Sequence, residues 1–382
     1  MSDTATVLKP VAASDRQAIF AATVAHYLAP IEPYLADSSV TEVMVNRWNL
    51  IYIERDGQII RTNATFTDVE VFDAAVNNIL QYTGKSVNDQ NPLLDSRLPD
   101  GSRVHVAMPP CSRTGTVMSI RKFNRQMLDM DWLIELGSLT EQAAEYLKIV
   151  VRSEQNVLVA GGTSSGKTSL LNAMSAYIPT GERVVVIEDS SELQLQQEHV
   201  LAMECRQADQ FGRGAITIRD LFRSSLRLRP DRIIIGEVRG GEALDMIQAM
   251  TSGHGGSMGT LHANNSYDAL NRLETMALMS KVELPLSALR AQIASAIDVI
   301  VQMSRHMGGK RMLTQITEIG PLDDAGRYQL RDLFTLKMAP GQDKASLKRM
   351  QLVWTGERST LGGALKPEEA ELVTDLTREI FQ

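Results

Sequence analysis

Hydrophobic positions change their period along this chain. After a polar lead-in, residues Ser14–Leu28 space their apolar side chains as an amphipathic helix does. From Val40 to Thr62 the pattern alternates, with Val43 and Val45, then Ile51 and Ile53, then Ile59 and Ile60, which predicts short strands. Asp56-Gly57 between two such runs predicts a type I′ hairpin turn. Helical spacing returns over Val69–Tyr82 and stops at Gly84. Leu98–Pro109 predicts a second hairpin with Asp100-Gly101 at its turn, and Thr116–Phe123 a further strand. This region mixes strands with helices and carries no phosphate loop, so it reads as an α+β domain. Leu128–Gln142 forms a junction with the boundary near 135, which divides the chain into a lead-in (1–35), an α+β domain (36–135) and a second domain (136–382).

The second domain has a different texture. A helix over Glu141–Arg152 precedes a buried-looking strand, Asn156–Ala160, and the chain then alternates. A glycine loop leads to a helix from Lys167, a strand Arg183–Glu188, a helix Ile218–Leu228, a strand Arg232–Val238 and a helix Gly241–Ser252. Apolar strands alternating with amphipathic helices predict a parallel sheet covered on both faces. Helices follow at Ser266–Met279 and Pro285–Ile297, with strands near Val299–Met303, Met312–Ile319 and Tyr328–Leu336. The tail from Pro340 is polar and weakly patterned, with a final helix expected over Pro367–Phe381.

Composition narrows the function classes. With 43% hydrophobic and 22% charged residues the chain is an ordinary globular one, so disordered and disulfide-stapled classes are excluded. Lys+Arg number 39 against 46 Asp+Glu, a net charge of −7, and so no direct nucleic-acid partner is expected. Cys111 and Cys205 lie far apart in no metal-ligand spacing and read as free thiols. No segment approaches the ~18–20 apolar residues of a membrane span. The N-terminus has neither the basic nor the apolar stretch of a signal peptide, so a cytoplasmic location is expected.

The chemistry concentrates after residue 160. Gly161-Gly162-Thr163-Ser164-Ser165-Gly166-Lys167-Thr168 matches the P-loop pattern between a strand and a helix. Its backbone amides and the helix N-terminus converge on phosphate, Lys167 reaches the β- and γ-phosphates of ATP, and Thr168 holds Mg²⁺. Two carboxylates end apolar strands, where ligands bind in such sheets: Glu188 after Val184–Ile187 and Glu237 after Ile233–Gly236. Glu188 is the expected water-polarising base, and Glu237 the expected Mg²⁺-shell group. Gly236 stands where the ordinary second nucleotide motif has an aspartate. Eight arginines and no lysine lie between Arg206 and Arg239 (Arg206, Arg213, Arg219, Arg223, Arg227, Arg229, Arg232, Arg239), a solvated ion-paired face or an intersubunit surface. Thr217 and Asp220 are placed to cap the helix carrying Arg223 and Arg227. A glycine-rich stretch holds His254 and His262; a lone histidine is most often structural, and no third metal ligand stands nearby.

Taken in order, the P-loop, Ile187-Glu188-Asp189, Arg227–Arg232, Gly236–Glu242 and Gly259–Asn264 resemble the Walker A, acidic box, arginine-rich stretch, atypical Walker B and histidine box of the type II/IV secretion ATPases. Upstream, Asp100–Val104 and Ser119–Phe123 resemble that family's N-terminal domain, and the likeness runs from about Val40 to Met303. Wording at Leu98–Pro109 and Arg227–Gly241 is most similar to the tight-adherence (Flp, CpaF-like) pilus assembly branch. Two departures stand out: Ser165 where a glycine is common, and Gly255 after His254 where relatives often carry an acid. The resemblance implies a RecA-like P-loop α/β domain with a smaller α+β (PAS-like) N-terminal domain. It implies a homohexamer that hydrolyses ATP and pushes on an inner-membrane platform protein, staying peripheral to the membrane. His262 becomes catalytic on this reading, and Arg103 and Arg121 bind the triphosphate. A conjugation or effector channel ATPase, a DNA translocase and a non-hydrolysing nucleotide-sensing scaffold are the alternatives.

Overall fold

The structure, a computed structural model, describes residues 22–83, 91–122, 129–208, 212–306, 309–338 and 350–382. The chain divides into two units, Met1–Gln126 and Met127–Gln382.

In the first unit a helix over residues 22–27 (α1) and Glu32–Ala36 (α2) precede strands Val40–Arg47 (β1), Leu50–Arg55 (β2) and Gln58–Arg61 (β3). Helix Val69–Thr83 (α3) and strands Leu93–Arg97 (β4), Arg103–Ala107 (β5) and Val117–Arg121 (β6) complete it. The six strands pair in the order β3-β2-β1-β6-β5-β4, every pair antiparallel. Asp56 (φ 50°) and Gly57 (φ 76°) both take left-handed backbone, as a type I′ turn demands. Alternation decides which face is inside: Val43, Val45, Val104, Val106, Met118 and Ile120 are buried with Phe72, Val76 and Ile79 of α3. Val24, Leu28 and Ile31 join this core, so part of the expected lead-in belongs to the first unit. Gly84, expected to end α3, and residues 14–21 of the expected first helix lie outside the described residues.

The second unit opens with Met130–Glu135 (α4) and Glu141–Arg152 (α5). Met130 and Leu133 pack into its core, so the division falls at 126/127, a few residues before the expected 135. There follow Val157–Gly161 (β7), Lys167–Ser175 (α6), Val184–Glu188 (β8), Val200–Glu204 (β9), Ile218–Ser225 (α7), Arg232–Ile235 (β10) and Glu242–Met250 (α8). Next come Met258–Leu261 (β11), Ser266–Leu278 (α9), Leu286–Ala296 (α10), Val299–Arg305 (β12), Arg311–Leu322 (β13), Tyr328–Met338 (β14) and Met350–Trp354 (β15). Single turns Pro367–Ala370 (α11) and Arg378–Phe381 (α12) close the chain.

The sheet order is β15-β14-β13-β12-β7-β11-β10-β8-β9. Six strands, β12 to β9 in that order, are parallel, and β13–β15 extend them antiparallel. This is the α/β arrangement expected of a P-loop ATPase. Successive strand residues enter opposite cores: Val157 and Val159 pack with α5 and α6, while Leu158 and Ala160 pack with α7–α10. A strand apolar on both faces therefore leaves no alternation to read. Helix α7 starts with the capping box anticipated from Thr217 and Asp220. The final helix expected over Pro367–Phe381 is instead two turns. The hydroxyls of Thr374 and Thr377 accept the amides of Leu376 and Thr374, competing with the helical ladder.

Candidate nucleotide site

Parallel pairing brings the C-terminal ends of four neighbouring strands into one row. Leu261 of β11 pairs with Ala160 of β7, and Ile235 of β10 pairs with Gly259 of β11 and Ile187 of β8. The residues that follow these positions are the P-loop, His262, Gly236-Glu237 and Glu188.

Between β7 and α6 the P-loop turns through two left-handed residues, Ser164 (φ 55°) and Gly166 (φ 98°). Such turns gather amides into an anion-binding concavity, and the first-turn amides of α6 have no intrahelical acceptor. The position that calls for glycine is thus Ser164. Ser165, expected to be the departure, is buried with an unpartnered hydroxyl in a conformation open to any residue. Lys167 is 8% exposed, and its Nζ donates to the carbonyls of Gly161 (3.1 Å) and Gly162 (2.9 Å). Its charge is held at the mouth of the loop.

From Lys167 a polar chain crosses the strand ends. Lys167 Nζ lies 3.4 Å from His262 Nδ1, and His262 Nε2 lies 3.2 Å from Glu237 Oε1. The tautomer that satisfies both contacts accepts from Lys167 at Nδ1 and donates to Glu237 from Nε2. Burial and the Lys167 charge push the imidazole below its ordinary pKa, against the opposing pull of Glu237. Burial would raise the Glu237 carboxyl, but the hydrogen bond and charge of Arg239, with His262 and Lys167, outweigh it and leave it below the usual carboxylate range. Arg239 donates from Nη2 to Glu237 Oε2 (2.8 Å) and from Nη1 to Asp189 Oδ2 (3.3 Å).

Glu188 is 3% exposed. Burial pushes its carboxyl up to about 7, although the amides of Glu192 (2.9 Å) and Leu193 (3.0 Å) donate to Oε1 and oppose the shift. A β-carbon on Gly236 would lie 2.8 Å from Glu188 Cγ, so Glu188 fills the space that an aspartate at 236 would need. Thr168 is half-buried in the first turn of α6. No cluster of three or more His, Cys, Asp or Glu among the described residues suits a metal by itself. Thr168 and ionised Glu237 supply hard oxygen donors, the kind that hold Mg²⁺ together with phosphate and water.

The remaining candidates separate clearly. Arg103 and Arg121 are direct cross-strand partners on β5 and β6, and Arg97 of β4 opposes Arg103 in the same row. Arg97 was not singled out by sequence; its place follows from register. Half of the arginine-rich run is structural. Arg219 and Arg223 pair with Asp245, and Arg206 donates to the Gly214 carbonyl. Arg232 is 1% exposed, held by Glu182 and the Val151 carbonyl. Arg227 and Arg229 stay exposed on the α7–β10 connection. His254 precedes β11, at the end of the sheet away from His262, with Nδ1 buried and unpartnered.

The family model described as "Type II/IV secretion system protein" matches residues 25–319. The chain belongs to this family. A putative conjugal transfer protein of Mycobacterium tuberculosis is 31% identical over 323 residues, covering 83% of this chain and 91% of its own length. The type IV secretion system protein PtlH of Bordetella pertussis is 34% identical over 324 residues, covering 78% of this chain and 94% of that protein. Among solved structures, the ATPase DotB of Legionella pneumophila shares the fold, with a TM-score of 0.52, 18% identity and 82% of each chain covered. No helix among the described residues of this secretion-family protein is long and apolar enough to cross a membrane.

Proposed function

We propose that this protein is an ATP hydrolase that drives a pilus-assembly or secretion machine. It works as a homohexamer at the cytoplasmic side of the inner membrane, against a membrane platform protein. The observation that carries the reading is the continuous chain Lys167–His262–Glu237–Arg239, drawn from the P-loop and two neighbouring strand ends. Lys167 exchanges the loop carbonyls for the β- and γ-phosphates of ATP. Thr168 would hold Mg²⁺ with Glu237 in the shell around it, and the bound ion would neutralise charge on the phosphate oxygens. Water attacks the γ-phosphorus, the bond to the β–γ bridging oxygen breaks, and Glu188 takes the water's proton. A carboxyl whose pKa sits near 7 suits that task. Arg103 and Arg121 are further ligands of the triphosphate on this reading.

Within the family we place the protein with the tight-adherence pilus branch, on its Leu98–Pro109 and Arg227–Gly241 wording. A type IV secretion or conjugation channel is the second reading, favoured by relatives at 31–34% identity that carry those names. Phosphate release from ATP tests the activity. Lys167→Ala is expected to abolish turnover with the fold intact. Glu188→Gln and Glu237→Gln should bind ATP without hydrolysing it, and His262→Ala should lose more turnover than binding. Wild-type turnover in Lys167→Ala overturns the reading.

A further inference from the structure

We propose that Arg239 is a positioning residue for hydrolysis, holding Glu237 against His262 and joining the ends of β8 and β10 into one rigid edge. The inference rests on the ATPase reading of the site. Glu237 has two oxygens, each committed to one partner: Oε1 to His262 at 3.2 Å and Oε2 to Arg239 at 2.8 Å. With Arg239 removed, Glu237 keeps a single contact and can rotate about its own side-chain bonds. It also faces Asp189 with no cation between them, and the two like charges push it away from the row.

The arginine is fixed at both ends. Its amide donates to Glu242 Oε1 at 2.7 Å, and the Gly240 amide donates to the same oxygen at 2.8 Å. Glu242 is the first residue of α8 and is buried. At the other end the guanidinium reaches Glu237 with one nitrogen and Asp189 with the other. A planar fork spans two carboxylates at once, whereas an ammonium is a single point charge. Ordering a long side chain in this way costs rotamer entropy, which surface ion pairs seldom recover. The anchored backbone lowers that cost here.

Exposure separates this role from a packing role. The Arg239 side chain is 53% exposed, so its loss opens no cavity, in contrast to the enclosed Arg232. The neighbouring Val238 is buried, and its amide is held by the Thr260 carbonyl independently of the guanidinium.

The test compares wild type, Lys167→Ala, Arg239→Ala and Arg239→Lys by steady-state ATP turnover and by binding of a fluorescent ATP analogue. Each is measured with and without low-millimolar guanidinium chloride. We expect kcat of Arg239→Ala to fall about 10²-fold, the scale of a misplaced catalytic group. KM and analogue affinity should stay near wild type. Added guanidinium should restore part of the loss, and Arg239→Lys should fall between the two. Glu242→Ala, which releases the backbone anchor but keeps the charge, should lower kcat less, and Arg239→Ala/Glu242→Ala should be no slower than Arg239→Ala. Wild-type kcat in Arg239→Ala overturns the inference, as does a loss that neither guanidinium nor lysine restores. If Arg239→Ala does not fold, Asp189→Asn and Glu242→Ala decide, and full activity in both overturns it. Wild-type protein without Lys167-dependent turnover overturns the ATPase reading and this inference together. Turnover that is indifferent to Arg239 overturns the inference alone.

Discussion

Glu188 and Gly236 meet because β8 and β10 pair in parallel with Ile187 beside Ile235. The next residue on each strand then competes for one volume, and the carboxylate takes it. The absent aspartate is therefore a steric consequence of a buried acid on the neighbouring strand. Gly236→Ala puts a methyl 2.8 Å from Glu188 Cγ and 3.3 Å from Oε1. Overpacking of this kind costs about 1–3 kcal/mol. Thermal melts should record that loss, and turnover should fall further because the displaced group is the proposed base. A variant with wild-type melting and wild-type turnover would show that the contact is slack. Ser164 illustrates the same scale: a sequence pattern flags a missing glycine, but only the backbone angle says which serine bears it.

At the scale of elements, the C-terminal segment depends on one buried acid. Glu318 of β13 accepts from Tyr146 of α5 (2.9 Å) and Ser359 (2.5 Å), and its other oxygen accepts the amide and hydroxyl of Thr360 (both 2.8 Å). Tyr146 stacks on Phe381, and Gln142 donates to the Leu376 carbonyl. Tail, helix and strand are thereby tied at one point. Glu318→Ala leaves the Ser359 hydroxyl and the Tyr146 phenol buried without their acceptor, a loss on the order of 3 kcal/mol. Limited proteolysis should then cut residues 355–382 first, at concentrations of protease that spare the wild type. Equal resistance in the two proteins would mean that apolar packing alone holds the tail.

At the scale of the molecule, each unit has its own core, and the proposed chemistry sits on the second. The first unit contributes a row of like charge, Arg97, Arg103 and Arg121, across three strands. Asp95 lies 3.8 Å from Arg103 and Arg97 donates to the Gly101 carbonyl, so the row is partly compensated, and a bound anion adds to that compensation. ATP can favour a closed arrangement of the two units only through contacts it makes in that state, and cleavage of the γ-phosphate withdraws them. Paired fluorophores, one in each unit, should report ATP-analogue-dependent approach in the wild type. Arg103→Ala and Arg121→Ala should weaken that approach and slow turnover while leaving the protein folded. Variants that close as the wild type does would remove these arginines from the coupling.

Sequence alone determined the features that rest on local physics. The P-loop needs left-handed backbone and helix-start amides in one short stretch, so its residues must be contiguous. The Asp56-Gly57 turn, the Thr217–Asp220 cap and the helix Glu141–Arg152 are legible for the same reason. Features set by pairing were not. Strand β11 lies at the centre of the sheet, yet Met258-Gly259-Thr260-Leu261 has no strand pattern of its own and is extended because β7 and β10 flank it. Strands β9 and β15 were missed likewise. Arg239 stood among eight similar arginines; register and distance alone distinguish it from Arg219, Arg223 and Arg232, which hold the fold together. A residue type states what contacts a side chain can make. Which contact it makes is decided by what tertiary packing brings within 3 Å, the reach of a hydrogen bond.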